Sequence, residues 1–207
     1  MEPYRSRRPR RYLRSRITRK LILDTALDVF LNEGYAKTTI AKISEQAKVG
    51  YGTVYSHFKG KDDILCKVID NVLVDFYNLL DVPFAPNTLE DARGIYKELI
   101  LTSFRLADQH RPIMKIYQEA LALSDNIESH WFGVQALFIE SSAKSFKYAK
   151  NKGLAKDFNL ERGAKAYILL IDRFIWEVVN ERENDMIATA DIIVDMLFHG
   201  FFIDPNS

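Results

Sequence analysis

The chain has 207 residues, 47% hydrophobic and 28% charged, with one cysteine and a net charge of +1. That length and apolar content suit one large or two small folded domains. A single cysteine excludes an internal disulfide framework or cysteine-rich zinc site, and no apolar run reaches the ~18 residues of a transmembrane helix. Residues 1–61 carry 14 Lys and Arg against 5 Asp and Glu, a balance of +9, and the rest balances at −8, so only the front is suited to a polyanion.

The first 16 residues, MEPYRSRRPRRYLRSR, hold seven arginines and two prolines and are expected to form a flexible arm. A secretory or twin-arginine signal would need an apolar stretch next, but Ile17–Tyr35 carries Arg19, Lys20, Asp24, Asp28 and Glu33. A nucleic-acid arm, a membrane-surface anchor and a solubilising tail stay open. Arginine favours the first, because it neutralises phosphates and inserts into narrow minor grooves, and Arg10, Arg11, Arg14 and Arg16 are the candidates. No membrane partner is expected.

From Ile17 the pattern turns helical, with Ile22, Ala26, Val29 and Phe30 on one face and Gly34 as the stop. Thr38 or Thr39 caps a second short helix whose Ile40, Ile43 and Ala47 face inward. Val49-Gly50 breaks the chain, a third short helix spans about Tyr51–His57, and Val54 and Phe58 anchor it. After Gly60, Asp62 and Asp63 open the next helix, where carboxylates suit the positive end of the dipole. Beyond, helices are expected over Asp62–Leu80, Leu89–Gln109, Ile113–Leu123, Glu128–Asn151, Leu160–Glu183 and Met186–Phe202. Glycine and proline together make up only about 7% of the chain, against a usual ~12%, and no strand pattern competes. The fold class is all-α: a flexible arm over 1–16, a helix-turn-helix domain over 17–61, and a larger helical domain over 62–207.

A helix, a short capped helix, a tight turn and a second short helix form the helix-turn-helix layout, whose last helix must be exposed and polar to enter a major groove. Gly52 lets the backbone approach DNA, Tyr51, Thr53 and Tyr55 present hydroxyls, and His57 and Lys61 reach phosphate; Ser56 lies on the same short helix. Tyr35, Val54 and Phe58 are expected in the core. Tyr55 has two readings, a packed ring or a contact, Thr39 is a cap or a contact, and His57 is a contact or an idle helix end.

The stretch Gly34-Tyr35, Thr38-Thr39, Ile43, Ala47, Val49, Gly52-Thr53-Val54-Tyr55, His57-Phe58 and Lys59-Gly60-Lys61 resembles the TetR family of bacterial transcription regulators across Ile17–Leu65. The resemblance implies that Thr38 and Thr39 touch the DNA backbone, that Tyr51, Gly52 and Thr53 face bases, and that Tyr55, His57 and Lys61 hold phosphates. Where the family has Ala-Gly-Val-Ser, this chain has Ala47-Lys48-Val49-Gly50, so Gly50 stands in as a poorer cap and Lys48 compensates for a lost serine contact. The family further implies a homodimer on double-stranded DNA, a small lipophilic effector that lowers DNA affinity, no cofactor, repression as the default output, and a cytoplasmic, nucleoid-associated protein.

In the C-terminal part, the helices about 160–183 and 186–202 are apolar on more than one face, which suggests pairing with a second copy; burial within one subunit is the alternative. Tyr96, Phe104, Tyr117, Trp131, Phe132, Phe138 and Trp176 are candidate pocket walls. Gln135, Asp172 and Arg173 are candidate polar anchors, although Arg173 also stands one turn from Glu177 as a surface pair. The four histidines lack metal-ligand spacing and no catalytic motif is present, so no enzyme is expected. An architectural DNA-binding protein without an effector, or an activator of the same family, are the rival readings.

Overall fold

A computed structural model describes residues 8–201, with side chains from Tyr12 onward. The described residues form ten α-helices and no β-strand. Arg5, Arg7 and the rest of residues 1–7 lie outside them, as do the side chains of Arg10 and Arg11.

Helix α1 spans Arg8–Lys37. It reaches back into the segment expected to be a flexible arm, because Pro9 falls in the first turn, where its missing N–H leaves no bond unmade. Gly34 interrupts α1 with φ 78° and ψ 170°, a conformation reserved for glycine, so the expected stop becomes a kink. Thr39 caps α2 (Ile40–Gln46), and α3 spans Tyr51–His57. The predicted Asp62–Leu80 helix is divided: α4 runs Lys61–Val72, Leu73 tightens to ψ −3°, α5 covers Val74–Asn78, and a 3-10 turn follows over Leu79–Asp81.

Helix α6 (Leu89–Gln109) keeps both predicted ends, since Thr88 and Asp91 make a reciprocal capping box. Helix α7 spans Arg111–Leu121, two residues earlier than expected, with Pro112 in its first turn. Helix α8 covers Asp125–Asn151, α9 covers Leu160–Val179, and α10 covers Met186–Phe201. Helix α9 ends before Glu183 because Asn180 turns back, its side chain donating to the Trp176 carbonyl at 2.7 Å.

The chain divides into two compact units. The first takes the described residues up to Val72 together with Ile116–Ile127, and the second takes Leu73–Lys115 and the residues from Glu128 onward. In the first, α1 packs on α2 and α4, and α2 on α3. Ile22, Ala26, Val29, Phe30, Ile43 and Val54 are fully buried there, as the helical periodicity requires. Cys66 belongs to this core, and burial, aided by Asp70, Asp62 and Asp63, pushes its thiol up to about 11.

In the second unit α6 packs between α9 and α10. Its centre is aromatic: the Tyr96 ring lies 5.5 Å from Tyr167 and 6.1 Å from Phe146 and Phe198, centroid to centroid. Gly163 lets the Phe158 ring pack, tilted, 4.6 Å from that of Phe201, since a β-carbon there would come within 2.5 Å of the Phe158 ring.

Candidate nucleic-acid interface and effector cavity

Helix α3 is held by two apolar residues and offers the rest of its surface. Val54 and Phe58 are buried, Arg19 covers the Phe58 ring at 4.9 Å, and the helix starts on backbone bonds to the Gly50 carbonyl without a side-chain cap. Tyr51 and Tyr55 stand out at 54% and 48% exposure, their rings 5.1 Å apart and their hydroxyls 3.4 Å apart. Thr53 is half-buried and Ser56 exposed, with the Ser56 hydroxyl donating to the Thr53 carbonyl at 2.7 Å. His57 is half-buried beside Phe58.

Gly52 is exposed, and a β-carbon there would meet nothing within 4 Å. No packing inside the chain calls for glycine in this helix, where it costs roughly 0.5–1 kcal/mol relative to alanine. Gly94, Gly133 and Gly200, in other helices, have the same open space, so the exposed face of α3 and not the missing β-carbon marks this helix. Lys48 is exposed in the left-handed region at φ 53°, where the turn would suit glycine, and so carries a cation up to the start of α3. Arg14 and Arg16 are exposed on α1.

Two expected phosphate contacts are instead turned inward. Thr38 is buried at 1% exposure and donates its hydroxyl to the Gly34 carbonyl at 2.7 Å, which leaves the exposed cap Thr39 as the threonine offered outward. Lys61 donates to the Tyr35 carbonyl at 2.9 Å and lies 3.9 Å over the Tyr35 ring. Both acceptors are carbonyls of the last turn of α1, which ends at Lys37 and leaves its final carbonyls open to side-chain donors.

The kink at Gly34 builds a polar hub that the sequence reading missed. Tyr35 donates its hydroxyl to Asp62 at 2.5 Å, and Ser124 donates to the other Asp62 oxygen at 2.6 Å. Glu119 accepts from the Tyr35 and Ala36 amides at 3.4 and 3.1 Å. Burial alone would raise the Asp62 carboxyl, but hydrogen bonds from Ser124, Tyr35 and Asn126 outweigh it and hold the group below the usual carboxylate range. Spaced along the chain at 35, 62, 119 and 124, these residues carry no local signature.

The second unit contains a cavity of about 930 Å³, including the part open to solvent, walled by α5, α6, α8 and α9. Of the candidate pocket residues, Tyr96, Trp131, Gln135, Phe138 and Asp172 line it. The other five lie elsewhere. Phe104 and Trp176 are buried in packing, Tyr117 is buried in the first unit with its hydroxyl on the Ile127 carbonyl, Phe132 is 57% exposed, and Arg173 is paired with Glu177. The lining also includes Ser141, Ser142 and Ser145, a polar stripe on α8 whose spacing of one and four residues is visible in the sequence. Asp172 accepts from the Trp131 indole at 3.1 Å, and burial pushes its carboxyl up although Gln135, Trp131 and Trp176 donate to it.

Residues 22–68 match the family model for bacterial regulatory proteins of the tetR family. The uncharacterized regulator YhgD of Bacillus subtilis is 29% identical over 77% of this chain and 84% of its own length. The uncharacterized regulator TtgW of Pseudomonas putida is 37% identical over 50% of this chain and 72% of its own. Among solved structures, SmeT, the repressor of the Stenotrophomonas maltophilia multidrug efflux pump SmeDEF, superposes with a TM-score of 0.69 at 19% identity, over 90% of this chain and 91% of that one. Its complex with triclosan gives 0.70 at 21% identity, over 91% and 93%. With a helix-turn-helix whose last helix is exposed and a second, separate helical unit, the chain belongs to the TetR family of bacterial transcriptional regulators.

Proposed function

We propose that this regulator is a ligand-responsive repressor: a homodimer binds a two-fold symmetric operator and leaves it when a small lipophilic effector enters the cavity. The observation that carries the reading is the pairing of an exposed helix α3, which offers Tyr51, Gly52 and Tyr55 outward, with a mainly apolar cavity in the other unit. That SmeT represses an efflux pump and has been crystallised with triclosan supports the same division of labour here.

Dimerisation is supported by apolar side chains left outside on α10. Ile192 and Met196, one turn apart, are 59% and 58% exposed, and Ile187 is 58% exposed. Pairing through these helices gives two copies of α3 a two-fold relation, which a palindrome matches. In this reading Thr39, Lys48, Tyr51, Gly52, Thr53 and Tyr55 face DNA, with Arg14, Arg16 and His57 on the backbone, and the protein works on the nucleoid.

The coupling route we propose is the Ile116–Ile127 segment. It ends α7 and begins α8, and it holds Glu119 and Ser124 against the Tyr35–Asp62 hub. A ligand that shifts either helix pulls on α1 and α4 through these bonds, and by linkage the operator weakens ligand binding by the same factor. Footprinting on the promoter of its own gene tests the first step: a two-fold symmetric protected region supports it, and uniform coverage without sequence choice supports an architectural protein instead. Screening hydrophobic metabolites by thermal shift, then adding each hit to the operator complex, tests the second. If every stabilising compound leaves operator affinity unchanged, the effector reading fails.

A further inference from the structure

From the lining of the cavity we infer that its ligand is a lipophilic organic cation, such as a protonated amine on an apolar body, with Asp172 as its counter-ion. The inference rests on the reading of this cavity as the effector site. Among the described residues, no lysine, arginine or histidine lines the cavity, and Asp172 is its one acidic side chain. Tyr96 and Tyr167 also line it, but burial raises both phenols, so they stay neutral.

Asp172 is half-buried, and the donors around it are neutral: the indole of Trp131 at 3.1 Å, with Gln135 and Trp176. Such bonds orient a carboxylate without cancelling its charge. A buried charge lacking a counter-charge is costly, and a ligand that supplies one recovers that cost. The aromatic walls act in the same direction. Trp131, Phe138 and Tyr96 present negative ring faces to a cation, and the apolar walls of Phe76, Ile171 and Ile175 suit its body. A fatty carboxylate would bring a second negative charge to Asp172 with no cation in the lining to receive it.

The full-length protein is titrated with octylammonium, octanol and octanoate, which share a chain and differ in head group. Calorimetry gives affinities, and emission from Trp131 and Trp176, whose rings lie 5.3 Å apart, reports occupancy. The expected order is octylammonium, then octanol, then octanoate. Asp172→Asn keeps the acceptor for Trp131 and is expected to weaken octylammonium by about tenfold or more, with octanol changed little. Octanoate binding as tightly as octylammonium, or Asp172→Asn leaving the cation's affinity intact, overturns the inference. Ser142→Phe, which fills the cavity, separates the two readings. If it abolishes binding of all three probes while Asp172→Asn changes no ranking, the cavity stands and the cation inference falls. If it leaves all binding intact, or no probe binds to the unaltered protein, the cavity reading falls and the inference with it.

Discussion

Replacing Tyr35 with phenylalanine isolates one bond of the hub. The ring would keep its packing beside Phe30 and beneath the Lys61 ammonium, and only the hydroxyl that donates to Asp62 at 2.5 Å would go. A hydrogen bond to a charged group contributes ~1.5–3 kcal/mol in a protein interior. Asp62 is half-buried and retains Ser124 at 2.6 Å, so the lower end applies: a loss of about 1.5 kcal/mol near pH 7. The sign with pH follows from the depressed Asp62 carboxyl. A folded-state value below the unfolded one contributes stability above the unfolded value, and that contribution disappears as pH falls through the folded one. The gap between Tyr35→Phe and the parent protein should therefore be widest at neutral pH and close below pH ~4. Urea unfolding followed by circular dichroism across that range measures it. Equal stability of the two proteins at pH 7, or a gap that persists unchanged in acid, would refute the assignment of a charged hydrogen bond.

Gly34→Ala places a β-carbon at φ 78°, 3.3 Å from Glu119, and should destabilise by about 2 kcal/mol in a thermal melt. Gly52→Ala should do the reverse for the fold, gaining about 0.5–1 kcal/mol from helix propensity alone, while gel shifts show weakened operator binding; unchanged affinity would remove the case for close approach. Because Asp172 has a raised carboxyl, its ionisation opposes folding from the unfolded-state value upward, and the penalty is complete above the folded-state value. Asp172→Asn should accordingly raise the melting temperature at neutral pH, with the advantage vanishing in acid.

Helix positions were legible wherever apolar period and caps agreed, as in α6 between Thr88 and His110. The break at Leu73 was not, since it is a buried leucine in an unbroken apolar rhythm and no residue type marks the tightened turn. On α3, the exposed positions Tyr51, Gly52 and Tyr55 followed from the helix being anchored through Val54 and Phe58. The inward turns of Thr38 and Lys61 did not, because they answer to the open carbonyls of the last turn of α1, and a motif does not specify which acceptors compete for a side chain. In the cavity, aromatic composition alone could not separate walls from packing: Trp131 lines the space while Trp176, touching it, does not. The polar residues decided more, since Gln135, Asp172 and the α8 serines interrupt helices that packing alone would have filled with apolar side chains.

The chain's one cysteine falls in the first unit and its two tryptophans in the second. Cys66 is 8% exposed with a thiol raised to about 11, so an alkylating reagent at neutral pH reacts when that unit opens and exposes it. Trp131 and Trp176 respond to events around the cavity. Each half of the molecule thus contains its own spectator, without any engineered label. Recorded together on one sample, the thiol clock and the indole signal time the opening of the first unit separately from that of the second, and adding operator DNA or a cavity-binding compound shows which clock each one slows.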